Sequence, residues 1–409
     1  MKIHNRWFQL VASLIAMIMI ANLQYAWTLF VNPMQTATGW KLSEIQYAFA
    51  LFILFQTWVQ PAQGFLIDRL GPRLFTTLAG VLCGVGWAGL GMVTTLPMLY
   101  TLYVVAGVGA ALVYGGCMGS ALKWFTKERG LAAGIIAAGF GGGTALFVPV
   151  IASLIKNQGY RTAFLYTGIF QGVMILIVAQ FLRHPPAAPA AAKAPAAGSK
   201  LGQHQYTTME MLRTPQFYAL YVMFLMMATG GLLVTANAGP MSKAWGIPAA
   251  ALTLATSLNA IANGGSRIFW GWVSDKTGRE LAMGIAFVLQ ALCLMAVLTL
   301  GRLSGTLFTV TLVLTFFTWG EVFSLFPSIV GDYYGTKWST ANYGVMYSAK
   351  GVAALIGGVG PFLFEKFGTW NACLYGSAAL ALAAAVIAFS LRASRAPSAV
   401  AVGVPATAK

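Results

Sequence analysis

Two stretches, Gly64-Phe-Leu-Ile-Asp68-Arg69-Leu-Gly71-Pro-Arg73 and Gly271-Trp-Val-Ser-Asp275-Lys276-Thr-Gly278-Arg279, follow one pattern, G-x-x-x-D-[RK]-x-G with a basic residue close behind. The second begins 207 residues after the first, about half of the 409-residue chain. Either alone reads as a tight turn with charges. Together they mark a duplication in which both halves run in the same direction.

Working outward, the residues on either side of each stretch are long apolar runs such as VASLIAMIMIANL from Val11. The chain is 58% hydrophobic and 8% charged, with a mean hydropathy of +0.74. Soluble domains carry roughly 25% charged residues, so lipid must solvate most of this surface. Unbroken runs of this length predict helices, because barrel strands would be short and alternating. A window of about 20 residues predicts twelve spans, near 7–31, 44–67, 74–94, 98–122, 130–154, 161–182, 216–239, 248–273, 281–300, 306–330, 340–364 and 370–391. The first is too long for a signal peptide and lacks a small-residue cleavage site.

Charge fixes the expected orientation. With a cytoplasmic N-terminus, 17 of the 25 Lys and Arg fall on inside segments, 6 on outside loops and 2 within spans. That asymmetry places both termini in the cytoplasm and accounts for the net charge of +16 without nucleic acid. The stretch HPPAAPAAAKAPAAGSKLGQ from His184 cannot form a core and separates six spans from six. The expected divisions are a six-helix bundle over 1–183, a cytoplasmic linker over 184–214, a second bundle over 215–392 and a tail over 393–409. Cys83, Cys117, Cys293 and Cys373 are scattered through apolar runs and suggest no metal site or disulfide framework. No cofactor is expected.

The duplicated motif between the second and third span of each half resembles the mark of the major facilitator superfamily. That resemblance implies an all-α fold of twelve membrane helices in two bundles, related by an axis along the membrane normal. Asp68, Arg69, Arg73, Asp275, Lys276 and Arg279 would then serve as a gating motif, pairing charges across the cytoplasmic ends of the bundles in one state.

The two cations inside spans are Arg267, in NGGSRIFWGW, and Lys350, in YSAKGVAALIGG. An ionisable residue there costs about 2.5–3.5 kcal/mol on insertion scales and defaults to a functional assignment. Arg267 lies eight residues before Asp275, about 12 Å along the helix, where snorkelling is feasible. Lys350 lies about 20 Å beyond Lys337, where it is not. The spans offer one carboxylate, Glu321, so a surplus of positive charge remains, as a site for an organic anion requires. Glu321 reads either as a proton-coupling group or as the ion-pair partner of Lys350. Its position is about 200° from the face that Trp319 and Phe323 share, which favours pairing with a neighbouring helix. His4, His184 and His204 all lie outside the spans, excluding a histidine relay.

Tyr25, Tyr114, Phe140, Trp319, Phe323 and Tyr347 are deep aromatics that can build a desolvated box around two cations. The segments LQYAWTLFVNP, VYGG, KWFTKERGLAAG, LRTPQFY, GGSRIFWGWVSDKTGR, FFTWG, LFPS and NYGVMYSAK resemble the oxalate/formate antiporter family. The resemblance implies that Arg267 and Lys350 bind substrate carboxylates, with Gln24, Tyr25, Tyr114 and Trp319 lining the pocket. Phe140, Phe323 and Tyr347 belong to the same expected lining. Where the family pattern has tyrosines, this chain has Phe140 and Phe323; for a tryptophan it has Tyr347, and for a glycine Glu321. The lost hydroxyls and added carboxyl weigh against a strongly hydrated dianion and leave room for formate, lactate or pyruvate.

The resulting expectation is a secondary carrier of small carboxylates, most specifically an oxalate:formate antiporter, acting as a monomer in a bacterial inner membrane among lipids. Two unpaired buried cations should make the unloaded site resist closing and so favour exchange. The rivals are a proton-coupled monocarboxylate symporter and a transport-fold sensor. The roughly 30-residue linker is the longest cytoplasmic segment, which argues against a sensor. No P-loop and no Ser/His or paired-Asp set points to an ATP-driven pump or an enzyme.

Overall fold

The computed structural model describes residues 5–125, 129–183, 204–335 and 338–393. Within its helices, the side chains of 64–72, 122–123, 129–131, 133, 339–340 and 393 lie outside that description. The described residues form helices joined by short turns, and every expected span is present. Span one is Arg6–Tyr25 continued by Trp27–Thr38; spans two to six are Leu42–Gln63, Arg73–Met92, Leu96–Ala121, Gly134–Gln158 and Tyr160–Ala179. Spans seven to twelve are Pro215–Ala244, Ala249–Thr277, Arg279–Gly301, Gly305–Tyr334, Ala341–Phe367 and Asn371–Arg392. Eleven of these are both long and apolar enough to cross a membrane. Span eight has the length, but Asn259, Asn263, Ser266 and Arg267 dilute its apolar character.

The exterior is apolar where that of a water-soluble protein would be polar. Ile268 is 64% exposed while its neighbour Arg267 is 4% exposed. Gln24, Gln56, Asn263, Glu321 and Lys350 are all buried. Lipid accepts isoleucine and rejects guanidinium, so the polar residues must face the interior. The chain is therefore an integral membrane protein.

Spans one to six pack mainly on one another, as do seven to twelve. The two groups meet along spans two and eleven, five and eight, and one and seven. On the side away from the linker, the Glu365 carboxylate accepts from the backbone N and hydroxyl of Ser43, at 2.7 and 2.8 Å. There too, Asn32 donates to the Gly239 carbonyl at 2.9 Å, and the Gly239 N–H donates to the Thr28 hydroxyl at 2.6 Å. Pro240 has no N–H and leaves the Ala236 carbonyl one turn earlier without its helical partner. Gln46 supplies that partner from span two, at 2.7 Å. Toward the linker side, the Trp58 indole donates to the Ser348 carbonyl at 3.2 Å.

The chain after the linker docks beneath the second group. Tyr206 N donates to the Tyr334 carbonyl at 2.9 Å, and Asn342 holds both the Tyr206 carbonyl and the Thr208 hydroxyl. A capping box of Thr207 and Glu210 starts the short helix Thr208–Leu212. The Thr207 backbone N–H, bonded to Glu210, holds that carboxyl below its ordinary pKa.

Of the expected gating residues, Asp68 and Arg69 lie outside the described side chains. Arg73 donates to the Gln180 side-chain oxygen at 2.6 and 2.9 Å. Arg279 pairs with Asp275 at 2.6 Å and with Asp332 at 3.1 Å, while Lys276 stands 4.0 Å above the Trp272 ring. Each of these contacts stays within its own group of six spans rather than crossing between them.

Candidate functional site

Several helices break where the site residues sit. Span one breaks at Ala26, directly after Gln24 and Tyr25. Span five passes into a tighter turn at Gly143–Leu146, just beyond Phe140. Span ten stops at Trp319 and resumes at Val322, leaving Gly320 and Glu321 between the two pieces. Glycine allows close approach beside two of these breaks. A Cβ at Gly141 would stand 3.2 Å from the Arg267 guanidinium carbon. One at Gly320 would overlap the Ser266 hydroxyl. Interrupted helices at mid-depth free backbone groups to line a site, as is usual in secondary transporters.

The two cations converge on one ring. Arg267 lies 4.7 Å from the Phe323 centroid and the Lys350 ammonium 5.5 Å from it. Lys350 also stands 5.8 Å from Phe140 and 5.3 Å from Tyr347. Such contacts are worth about 2 kcal/mol each when water is excluded. The rings lock one another in place. Tyr25 meets Phe140 edge-on at 5.4 Å, Phe140 meets Tyr114 at 5.5 Å, and Tyr114 stacks on Tyr347 at 5.8 Å. Tyr347 and Trp319 each contact Phe323, at 6.3 and 5.3 Å. All nine residues expected at the site therefore lie in one connected, buried cluster, with Gln24 bonded to Lys350 at 2.8 Å.

The cations are not bare, although their partners carry no charge. Arg267 donates to the Ala137 carbonyl at 2.9 Å, the Asn263 side-chain oxygen at 3.0 Å and the Tyr25 hydroxyl at 3.4 Å. Lys350 donates to Gln24, to Gln56 at 3.1 Å and to the Tyr347 hydroxyl at 3.2 Å. Every one of these acceptors is neutral. Among the described residues, no carboxylate forms an ion pair with either cation.

Glu321 takes no part in these bonds. It is fully buried, and neither carboxyl oxygen has a hydrogen-bond partner among the described residues. Of its two expected readings, proton coupling or an ion pair with Lys350, the ion pair is not found among the described residues. Sequence reading missed Gln56, Asn263 and Phe224, the last packed 6.4 Å from Phe323 and 6.1 Å from Tyr347. The available signal was polar amides in apolar spans, at Gln56 in LFILFQTW and at Asn263, one turn before Arg267.

Known proteins share this arrangement of sequence. The chain is 40% identical over 368 residues to the oxalate:formate antiporter of Oxalobacter formigenes, covering 90% of this chain and 87% of that protein. It is 25% identical over 353 residues to the uncharacterized MFS-type transporter YhjX of Escherichia coli, covering 86% of each. Monocarboxylate transporter 12-B of Danio rerio is 26% identical over 362 residues, 81% of this chain and 75% of that protein. The family profile of the Major Facilitator Superfamily matches residues 12–358 and 219–406. With that match spread over a duplicated set of spans and a buried cationic site between them, this chain belongs to the major facilitator superfamily, a transporter and not an enzyme.

Proposed function

We propose that this chain carries small carboxylates across the membrane by alternating access, and that its principal reaction is exchange of oxalate for formate. The observation that carries the reading is the pair Arg267 and Lys350 facing one buried ring with only neutral acceptors around them. A small dicarboxylate can set one carboxylate against each cation, with Phe323 between them. A monocarboxylate can use either cation. The 40% relative named for oxalate and formate supports this choice of substrates. Gln24, Tyr25, Tyr114, Phe140, Trp319, Phe323 and Tyr347 line the site and exclude water. Residues 1–183 and 215–392 are the two moving bodies, joined by the 184–214 linker and followed by the 393–409 tail. The carrier works as a monomer in a bacterial inner membrane, both termini cytoplasmic. The Asp68–Arg73 and Asp275–Arg279 segments gate the cytoplasmic side.

A second reading, proton-coupled monocarboxylate uptake, rests on Glu321. With no ion pair among the described residues, its carboxyl can gain or lose a proton without breaking one. Counterflow in proteoliposomes separates the two readings, using labelled oxalate, formate, lactate and pyruvate with and without a pH gradient. We expect oxalate and formate to exchange without a gradient, and Glu321→Gln to keep that exchange. Uptake of monocarboxylates alone, driven by the gradient and lost in Glu321→Gln, would replace antiport by symport.

A further inference from the structure

We propose that Gln24 and Gln56 act as a built-in substitute for the transported anion at Lys350, and that Gln56 thereby sets how readily this carrier cycles without exchange. The inference rests on Lys350 being an anion-binding group.

An ammonium has three N–H donors and no acceptor. Here the three go to the Gln24 and Gln56 side-chain oxygens, at 2.8 and 3.1 Å, and to the Tyr347 hydroxyl, at 3.2 Å. Tyr347 is on the same helix as Lys350. Gln24 and Gln56 come from spans one and two, on the opposite half. The ammonium therefore ties the halves together at mid-depth through neutral oxygens alone. An ionised group taken out of water is costly unless its hydrogen bonds are replaced. A carboxylate is one replacement, and the two amides are another.

The amide ends support this role. Both glutamines present oxygen to Lys350, and both Nε2 atoms are buried without a hydrogen-bond partner among the described residues. A glutamine carries an acceptor and a donor on one rotatable group. When a carboxylate takes Lys350, half a turn about the last side-chain torsion offers it N–H donors instead. Glutamate could not donate, and an aliphatic side chain could do neither. Gln56 is thus a positioning residue, acting on the anion through Lys350.

A carrier whose anion site can be satisfied internally does not depend wholly on its cargo to close. The test uses proteoliposomes loaded with whichever labelled acid is carried in counterflow, with the membrane potential clamped. Efflux is compared into medium containing the same acid and into medium without it. The wild-type protein should show net efflux in acid-free medium. Gln56→Met keeps the length and loses the acceptor, and a lost bond to a charged group changes an equilibrium about tenfold or more. We expect the ratio of exchange to net efflux to rise about tenfold in Gln56→Met. Gln56→Glu supplies a permanent carboxylate and should move the ratio the other way, with exchange reduced more than net efflux. A parallel fall of both fluxes in both variants would mean a merely structural role and overturn the proposal, as would a wild-type protein without net efflux. Exchange surviving in Lys350→Gln would instead overturn the site reading itself, whatever Gln56 does.

Discussion

Lys350→Gln is expected to abolish anion exchange, with a fall of at least a hundredfold. Two unit charges about 4 Å apart attract by about 4 kcal/mol at an effective dielectric near 20, which is close to a thousandfold in binding. Glutamine nearly matches the length of lysine and can still hydrogen-bond, so the loss is one of charge rather than shape. Folding should not suffer. The ammonium is fully buried, its partners are all neutral, and replacing it relieves a desolvated charge. The measurement is labelled-anion exchange in proteoliposomes alongside a thermal melt of the purified protein. A variant that melts like the wild type and exchanges above a tenth of its rate would remove Lys350 from the site.

Gly351→Val should stop transport by another route. Spans two and eleven lie against each other along much of their length, from Ser43 with Glu365, through Gln56 with Lys350, to Trp58 with Ser348. Gly351 sits at the closest point. A Cβ there would overlap the Thr57 hydroxyl and stand 2.9 Å from the Trp58 ring. The rigid, branched valine side chain must push the spans apart beside Lys350. Overpacking of this kind costs about 1–3 kcal/mol, or roughly 5- to 150-fold in the population of the closed arrangement. Both cations remain, so anion binding should persist while exchange falls by about that factor. Ligand-dependent thermal shifts read the binding and proteoliposome flux reads the transport. Equal losses in both would mean that the substitution damages the site and not its closure.

How far the sequence anticipated this molecule differs between residues for physical reasons. The twelve spans were legible because hydropathy is a property of whole segments, and a 20-residue window found even span eight, the most polar of them. Arg267 and Lys350 were legible because a charge in an apolar run is conspicuous. Gln56 was not, since an uncharged amide in a span has many structural uses and its partner is 294 residues away. Glu321 was legible as a buried carboxyl with two readings, proton coupling or an ion pair, of which the described residues show no ion pair. A helical wheel turned it from the aromatic face, yet no wheel foretells whether a facing helix supplies a cation. The neutral oxygens around Lys350 were illegible for a similar reason: a count of charges overlooks them.

Span eight also bears on how the protein comes to exist. It is the helix least suited to leave a translocation channel sideways into lipid, because an arginine at mid-helix costs about 2.5–3.5 kcal/mol and Asn259 and Asn263 add to it. The groups that receive the Arg267 protons from outside its own helix are the Ala137 carbonyl of span five and the Tyr25 hydroxyl of span one. Both are synthesised well before it. The order of translation thus makes both acceptors before the donor, so that the first half of the chain is available as a scaffold when the Arg267 helix arrives.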